Sequence, residues 1–369
     1  MRDFVTRKAR PEIFSLKPYV PGKPIEEVRR ELGIKDIIKL ASNENPLGTS
    51  PKAREAISEA LGQMHHYPDA NCFELKKRLA EVHKISESSI VVGNGSDEIL
   101  MLLAMAFLSS GDGIIYAKPS FAEYEFTARI MGAECVEIPL KDFTHDLEKI
   151  LTAVTPRTKM VFICNPNNPT GTIVDAGAMQ SFMDRISEDV LVVFDEAYQE
   201  YVENPNFLSG LKYVKADRNA IVLRTFSKIY GLAGLRIGYG FTTPEIAQAL
   251  EMITEPFNVN LLAQVGALAA IDDIRHVEES RRVNSQGKEY LYEMFNEMGL
   301  AYVPTESNFI FLDSGRDCQA VFKALLRLGI IVRTGDTFGY PTFIRVTVGT
   351  RQENERFING LKKVLAEQE

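Results

Sequence analysis

The sequence predicts an α/β protein with a mostly parallel central sheet flanked by helices, followed by a smaller α+β domain. Short apolar runs at 90–92, 113–116, 160–164, 190–194 and 220–223 are separated by longer helical stretches such as 99–108 and 178–186. Runs that are apolar at nearly every position suit parallel strands buried on both faces. Beyond about residue 260 the order changes to helix first, then short strands mixed with helices. The chain has 369 residues, with 45% hydrophobic and 25% charged content. That is an ordinary composition for a globular protein of more than one domain.

Taken in order, the first stretch holds Pro11, Pro18, Pro21, Pro24 and Pro46. Proline fixes φ and removes donors, so residues 1–48 read as an irregular arm that packs on the small domain. Segments 51–62 and 73–82 repeat apolar residues at three and four, as amphipathic helices require. With the alternating strands and helices after them they form a large domain over 49–259. The small domain, 260–369, comprises a helix at 261–271, a long charged helix through 276–298, strands at 308–312, 330–333 and 342–348, a helix at 318–328 and a last helix.

Lys plus Arg number 42 against 50 Asp plus Glu, a net charge of -8, so there is no global basic field to hold nucleic acid. A few arginines in a closed pocket can still bind a small anion. Cys72, Cys135, Cys164 and Cys318 are scattered, without the spacing of a zinc site, and read as buried thiols in a reducing compartment. The five histidines form no ligand motif, so no metal is assigned. The N-terminus carries Arg2, Asp3, Arg7, Lys8 and Arg10 without an apolar core of a signal peptide, and no apolar stretch reaches membrane length. The expectation is a cytoplasmic protein.

Three strand-like runs end in polar signatures: Asn165-Pro166-Asn167-Asn168-Pro169-Thr170-Gly171, Asp195-Glu196-Ala197-Tyr198 and Thr225-Phe226-Ser227-Lys228. Singly, each has a plainer reading as a turn, a helix cap or a solvated charge. In an open α/β sheet, however, ligands sit beyond the carboxyl ends of the strands. The conjunction puts an amide, a carboxylate and an amine at one rim, which suits a pyridine aldehyde cofactor.

Through Asn-Pro-x-x-Pro-Thr-Gly, Asp-x-x-Tyr and Ser-Lys-x-x-Gly-x-x-Gly-x-Arg-x-Gly-Tyr (227–239), nearly the whole chain resembles the fold type I aminotransferases. These depend on pyridoxal 5'-phosphate (PLP) and have the aspartate-aminotransferase-like fold. The resemblance implies that Lys228 binds the cofactor covalently and then shuttles a proton, and that Asp195 pairs with the pyridine nitrogen. It places Asn168 and Tyr198 on the cofactor's phenolic oxygen, Tyr198 one helical step after Asp195 if a helix starts there. Gly95, Ser96 and Asp97 open the helix after the first strand-like run and would bind the phosphate at its N-terminus, aided by Thr225, Ser227 and Arg236. The cluster from Gly93 to Glu98 also looks like a dinucleotide fingerprint. Glu98 stands where the third glycine should be, and a dehydrogenase would leave Lys228 and Asp195 unexplained. Phe121, after Lys118-Pro119-Ser120, matches the ring that stacks on the cofactor, where the family often has Tyr.

The resemblance narrows to histidinol-phosphate aminotransferases through Leu16-Lys17-Pro18-Tyr19-Val20-Pro21-Gly22, Ser42-Asn43-Glu44-Asn45-Pro46-Leu47-Gly48, His66-Tyr67-Pro68-Asp69 and Ile331-Val332-Arg333-Thr334-Gly335. It implies that Arg345 forks onto the carboxylate of glutamate, while Arg333, Tyr19 and Tyr67 clasp the phosphate of histidinol phosphate. Asn45 falls among the substrate-binding residues. Tyr67 would reach the partner's site, which implies a homodimer; a cis bond is implied at Asn168-Pro169. The substrates would be small molecules, L-histidinol phosphate and 2-oxoglutarate or glutamate. Aromatic amino-acid aminotransferases and threonine-phosphate decarboxylases share the scaffold, but the presence of Arg333, Tyr19 and Tyr67 argues against the first. A catalytically silent binding protein is disfavoured because Lys228, Asp195, Asn168, Tyr198 and Arg345 are all present.

Overall fold

The computed structural model describes residues 2–16 and 22–366. The N-terminal segment is less irregular than its prolines suggest, with helices at Arg2–Lys8 and Ile25–Leu32. The second begins directly after Pro24 and ends at Gly33 in a left-handed cap, the ordinary punctuation of a helix. Its Val28 packs against Leu326 and Ile331. Strand β1 (Ile38–Lys39) then pairs in parallel with Ile330 and Ile331. Farther upstream, the Arg10 guanidinium donates to the carbonyl of Ile130 in the large domain, 2.5 Å away.

Seven strands form the main sheet: β2 (Ile90–Gly93), β3 (Gly113–Lys118), β4 (Glu134–Pro139), β5 (Thr158–Cys164), β6 (Leu191–Asp195), β7 (Ala220–Thr225) and β8 (Gly238–Thr242). Their order is β2-β8-β7-β6-β5-β3-β4, with β8 antiparallel to both neighbours. Alternate residues of one strand feed two separate cores. Val161, Ile163, Val192, Phe194 and Val222 face the helices Phe73–His83, Leu147–Ala153 and Ala176–Arg185. Met160, Phe162, Leu191, Val193 and Ile221 face the helices Ser96–Phe107, Glu123–Ile130 and Pro244–Glu251. Burial on both faces is why these strands read as unbroken apolar runs.

Two strands had no such signal. β4 lies at the sheet edge and is mostly exposed, and β8 lies in the glycine-rich stretch after Lys228. Gly238, at the start of β8, has a structural reason: a Cβ there would stand 2.4 Å from the backbone nitrogen of Ser96.

The smaller sheet contains β9 (Tyr302–Val303), β10 (Phe309–Asp313), β12 (Arg333–Thr334) and β13 (Phe343–Thr347), in the order β12-β13-β10-β9, while β11 (Ile330–Ile331) is the partner of β1. Ile310, Leu312, Ile344 and Val346 bury against the helices Ile274–Glu297, Cys318–Arg327 and Arg351–Ala366. Side chains alternate along a strand, so Arg345 and Thr347 project from the opposite face of β13.

The helix Leu261–Ile271 corrects the division of the chain at residue 260. Its Ala263, Ala267 and Ala270 belong to the large-domain core with Leu75 and Leu79, so the change of core falls after Ile271. The small side chains allow close helix contact, and Gly266 meets Ile57 where a Cβ would be 3.0 Å away.

The turn after Lys228 is held by contact with the arm. Gly231 has φ +68°, and a Cβ there would lie 2.0 Å from the carbonyl oxygen of Gly48. Gly231→Ala is expected to destabilise the fold by at least about 2 kcal/mol, combining overpacking with a strained φ. Gly234→Ala, where a Cβ meets nothing within 4 Å, should be close to neutral. Denaturant unfolding of the two variants side by side checks the difference.

Candidate active site

From β3 the chain steps outward to β4 at one edge, whereas β5, β6 and β7 step the other way. Such a reversal opens a crevice beyond the carboxyl ends of the strands. A cavity of about 260 Å³ lies there, lined by Phe121, Cys164, Asn168, Asp195, Tyr198, Thr225, Ser227 and Lys228, with Ser96, Asp97 and Arg236 on one side and Ser42 and Glu44 of the arm on another. Clefts of about 420 and 450 Å³ lie between the domains and under the arm. They have more volume, but neither gathers an amine, a carboxylate and an anion cradle as this one does.

The Lys228 amine donates to the carbonyl of Ser42 at 3.2 Å and stands 5.6 Å above the Tyr198 ring. Burial, with the Arg345 charge adding to it, pulls its pKa down to about 8. Asp195, at the end of β6, is buried, and burial pushes its pKa up to about 6. Two donors hold the carboxylate in place: the Tyr124 hydroxyl at 2.6 Å and the Ala197 backbone N–H at 3.1 Å. Behind it Glu196 accepts from Arg224, Ser209 and Gly210, a buried ion pair whose oxygens are well supplied with donors. That pair ties the end of β6 to β7.

The residues after Asp195 do not start an α-helix. Tyr198 precedes a single 3-10 turn, Gln199–Tyr201, yet its ring still reaches the cavity wall, edge-on to Phe309 at 5.0 Å. Its hydroxyl accepts from the side-chain amide of Asn43 at 2.9 Å. Asn168 accepts from the Arg345 guanidinium through Oδ1, which leaves its NH2 as a donor. The Asn168-Pro169 bond is cis, as are Lys118-Pro119 and Asn165-Pro166.

At the other end of the cavity Gly95 caps the helix Ser96–Phe107 with φ +85°, and this twelve-residue helix points its N-terminus at the opening. Free N–H groups and the helix dipole make such an end attractive to an anion. The Arg236 guanidinium lies beside it, paired with Asp97 at 2.9 Å. A Cβ on Gly95 would meet that guanidinium at 2.7 Å, so the glycine keeps the cradle open. The Thr225 hydroxyl accepts from the Ser227 N–H at 3.0 Å, which fixes the turn that presents Lys228.

Arg333 and Arg345 are direct partners across the antiparallel pair β12–β13. Residues opposed in this way share a sheet face. Asn45 departs from the expectation of a substrate contact. Its amide is used inside the fold, donating to the Ile229 carbonyl at 2.6 Å and the Ser280 hydroxyl at 2.8 Å, while its oxygen accepts from Leu47. Tyr67 is 81% exposed and stacks on Phe257 at 4.6 Å, away from the residues that line the cavity of its own chain. Tyr19 lies outside the described residues.

Asn43, Tyr124, Ser42 and Cys164 are site residues that sequence reasoning did not single out. For Tyr124 a signal existed: it lies three residues after Phe121, at the spacing of one helical turn. For Asn43 the signal was its place beside Asn45 in one short segment, with nothing to say which side chain turned inward. Among the described residues, no helix is long and apolar enough to cross a membrane, and no group of three or more His, Cys, Asp or Glu could hold a metal ion.

Residues 35–361 match the family model described as aminotransferase class I and II. The chain belongs to this family of PLP-dependent enzymes. It is similar to the histidinol-phosphate aminotransferase of Moorella thermoacetica, 57% identical over 97% of this chain and 93% of that one. The histidinol-phosphate aminotransferase of Caldicellulosiruptor saccharolyticus is 48% identical over 96% and 99% of the two chains. In structure it is similar to the histidinol-phosphate aminotransferase of Sinorhizobium meliloti in complex with pyridoxal-5'-phosphate. That likeness has a TM-score of 0.91 at 29% identity and covers 98% of each chain.

The lowered pKa of Lys228 has a consequence for the cofactor-free protein. Between pH 8 and the ordinary lysine value of 10.5 the unfolded chain binds more protons at this site than the folded one, so the site's contribution to stability rises with pH across that window. Lys228→Met should therefore stabilise the cofactor-free protein at pH 7, with the gain fading as pH rises from 8 towards 10.5. Thermal melts of both proteins over that range test the sign.

Proposed function

We propose that this chain catalyses reversible amino transfer between L-histidinol phosphate and 2-oxoglutarate, giving imidazole acetol phosphate and glutamate, a step of histidine biosynthesis. The observation that carries this reading is the opposition of Arg333 and Arg345 on one face of the small sheet. Two guanidiniums on one sheet face suit a site that must accept a phosphate in one half-reaction and a carboxylate in the other. The relatives named histidinol-phosphate aminotransferase support the choice of substrate.

The side chains present fit pyridoxal phosphate: a buried amine, a buried carboxylate, two phenolic-oxygen partners and an anion cradle at their respective sides of one cavity. When bound, the cofactor supplies a carbonyl that takes the substrate amine and a ring that accepts the electron pair left when the Cα proton departs. Asp195 keeps a negative charge at the pyridine nitrogen, held there by Tyr124 and Ala197. Ser96, Ser227, Thr225, Arg236 and the N-terminus of the helix Ser96–Phe107 hold the phosphate. Asn168 and Tyr198 donate to the phenolic oxygen, and the Phe121 ring covers one face. Lys228 moves the proton at substrate Cα with its Nζ, and a pKa near 8 suits a base that works close to neutral pH. Arg345 receives the glutamate carboxylate as a fork, and Arg333 receives the phosphate.

The chain acts as a homodimer in this reading, with Tyr67 completing the partner's phosphate site. Its exposure, beside the exposed Leu61 and Met64 and the stacked Phe257, supports a surface covered in an assembly. Mixing Lys228→Ala with Tyr67→Ala subunits should restore activity that neither variant has alone. Absence of rescue in mixed dimers would remove the shared-site reading.

The reaction is tested by the visible absorption of the PLP-loaded protein after L-histidinol phosphate or L-phenylalanine is added without a keto acid. Bleaching of the cofactor band by histidinol phosphate is expected; a response chiefly to phenylalanine would identify an aromatic aminotransferase instead. Lys228→Ala should abolish turnover with the fold intact. Arg333→Ala should weaken histidinol phosphate by about 10- to 100-fold, the size of a lost charge-assisted hydrogen bond. Glutamate should lose much less, and equal losses would contradict the division of labour between the arginines.

A further inference from the structure

Asn43 is the point at which the arm, the small domain and the cavity wall meet. It is 1% exposed and has φ +59°, a left-handed conformation that asparagine tolerates better than most residues. Its backbone N–H donates to the Thr347 hydroxyl at 3.0 Å, and that hydroxyl in turn donates to Asn43 Oδ1 at 3.1 Å. Asn308 donates to its carbonyl at 2.9 Å. With Oδ1 committed to Thr347, the amide Nδ2 is the end that faces Tyr198, and it donates to the phenol oxygen. A hydroxyl has one hydrogen to give. Because the Tyr198 oxygen accepts from Asn43, its own hydrogen is left to point away from Asn43, towards the cavity.

The charged and titratable groups around the phenol include Lys228, Arg345, Asp195, Cys164 and Tyr201. They act on the acidity of the hydroxyl, whereas Asn43 acts on its direction. Asn43 is also tied to the small domain: Thr347 lies two residues after Arg345 on the same face of β13, so one strand carries both Arg345 and the anchor of Asn43.

We propose that Asn43 is a positioning residue, which holds the Tyr198 hydroxyl as a donor into the cavity and couples its direction to the strand that carries Arg345. This rests on the reading that Tyr198 donates to the phenolic oxygen of the cofactor. A donor at that oxygen favours its ionised form and lowers the pH at which the visible band of the loaded protein changes.

The experiment is a pH titration of that band in the full-length, PLP-loaded protein and in Tyr198→Phe, Asn43→Asp and Asn43→Gly. Aspartate keeps the size and tolerates the left-handed backbone, but its carboxylate accepts where the amide donated, so the Tyr198 hydrogen turns towards it. The midpoint should rise by about one unit or more in N43D, approaching the rise in Y198F, and by less in N43G. If Y198F leaves the midpoint in place, the reading of Tyr198 fails. If Y198F moves it while N43D and N43G stay within about 0.2 units of the parent, the role of Asn43 is overturned and that of Tyr198 stands. Should N43D not bind the cofactor, N43G alone decides in the same way. For the coupling, maleate, a dicarboxylate, should move the midpoint of the parent protein and move that of Thr347→Val less than half as far; no shift in the parent, or an undiminished one in the variant, would sink the coupling.

Discussion

The Arg345 guanidinium joins three parts of the chain. It projects from β13 of the small sheet, donates to Asn168 in the turn after β5, and donates to the Ala41 carbonyl of the arm at 2.7 Å. These two hydrogen bonds to a buried cation bring the small domain, the arm and the large sheet to a single point. Asn168 is bonded there, Ser42 and Glu44 of the adjoining arm line the cavity, and the Arg345 charge adds to burial in lowering the pKa of Lys228.

The division of labour inside the large domain follows from its two-sided burial. With both sheet faces committed to apolar cores, the free polar chemistry collects at the strand ends, where main-chain groups have no further strand to pair with. There the fold keeps Lys228 and Asp195 in surroundings that disfavour their charged forms. This is a familiar compromise: stability is given up locally for groups poised to react, and the surrounding cores make it bearable.

Much of this arrangement was legible in the sequence because each motif is contiguous and follows a strand whose burial leaves a plain apolar run. Asn168, Asp195, Tyr198, Thr225, Ser227 and Lys228 come from three such junctions and line one cavity. The parts that were not legible share a different physics. β4 is an exposed edge strand, β8 is rich in glycine, and the helix Leu261–Ile271 is apolar all round, so none announces its partner. Asn43 and Asn45 differ only in which way an irregular loop turns them, and no periodicity encodes that. Asn45 binds the backbone beside Lys228 from behind, while Asn43 reaches the cavity wall.

Asn43 and Thr347 touch although 304 residues separate them along the chain. During synthesis, then, the strands of the large sheet are all made well before the binding site can be complete, because β13 lies far downstream of β8. A nascent or C-terminally truncated chain would present Lys228 in an unfinished crevice. Possession of a competent site thus reports that synthesis has passed β13.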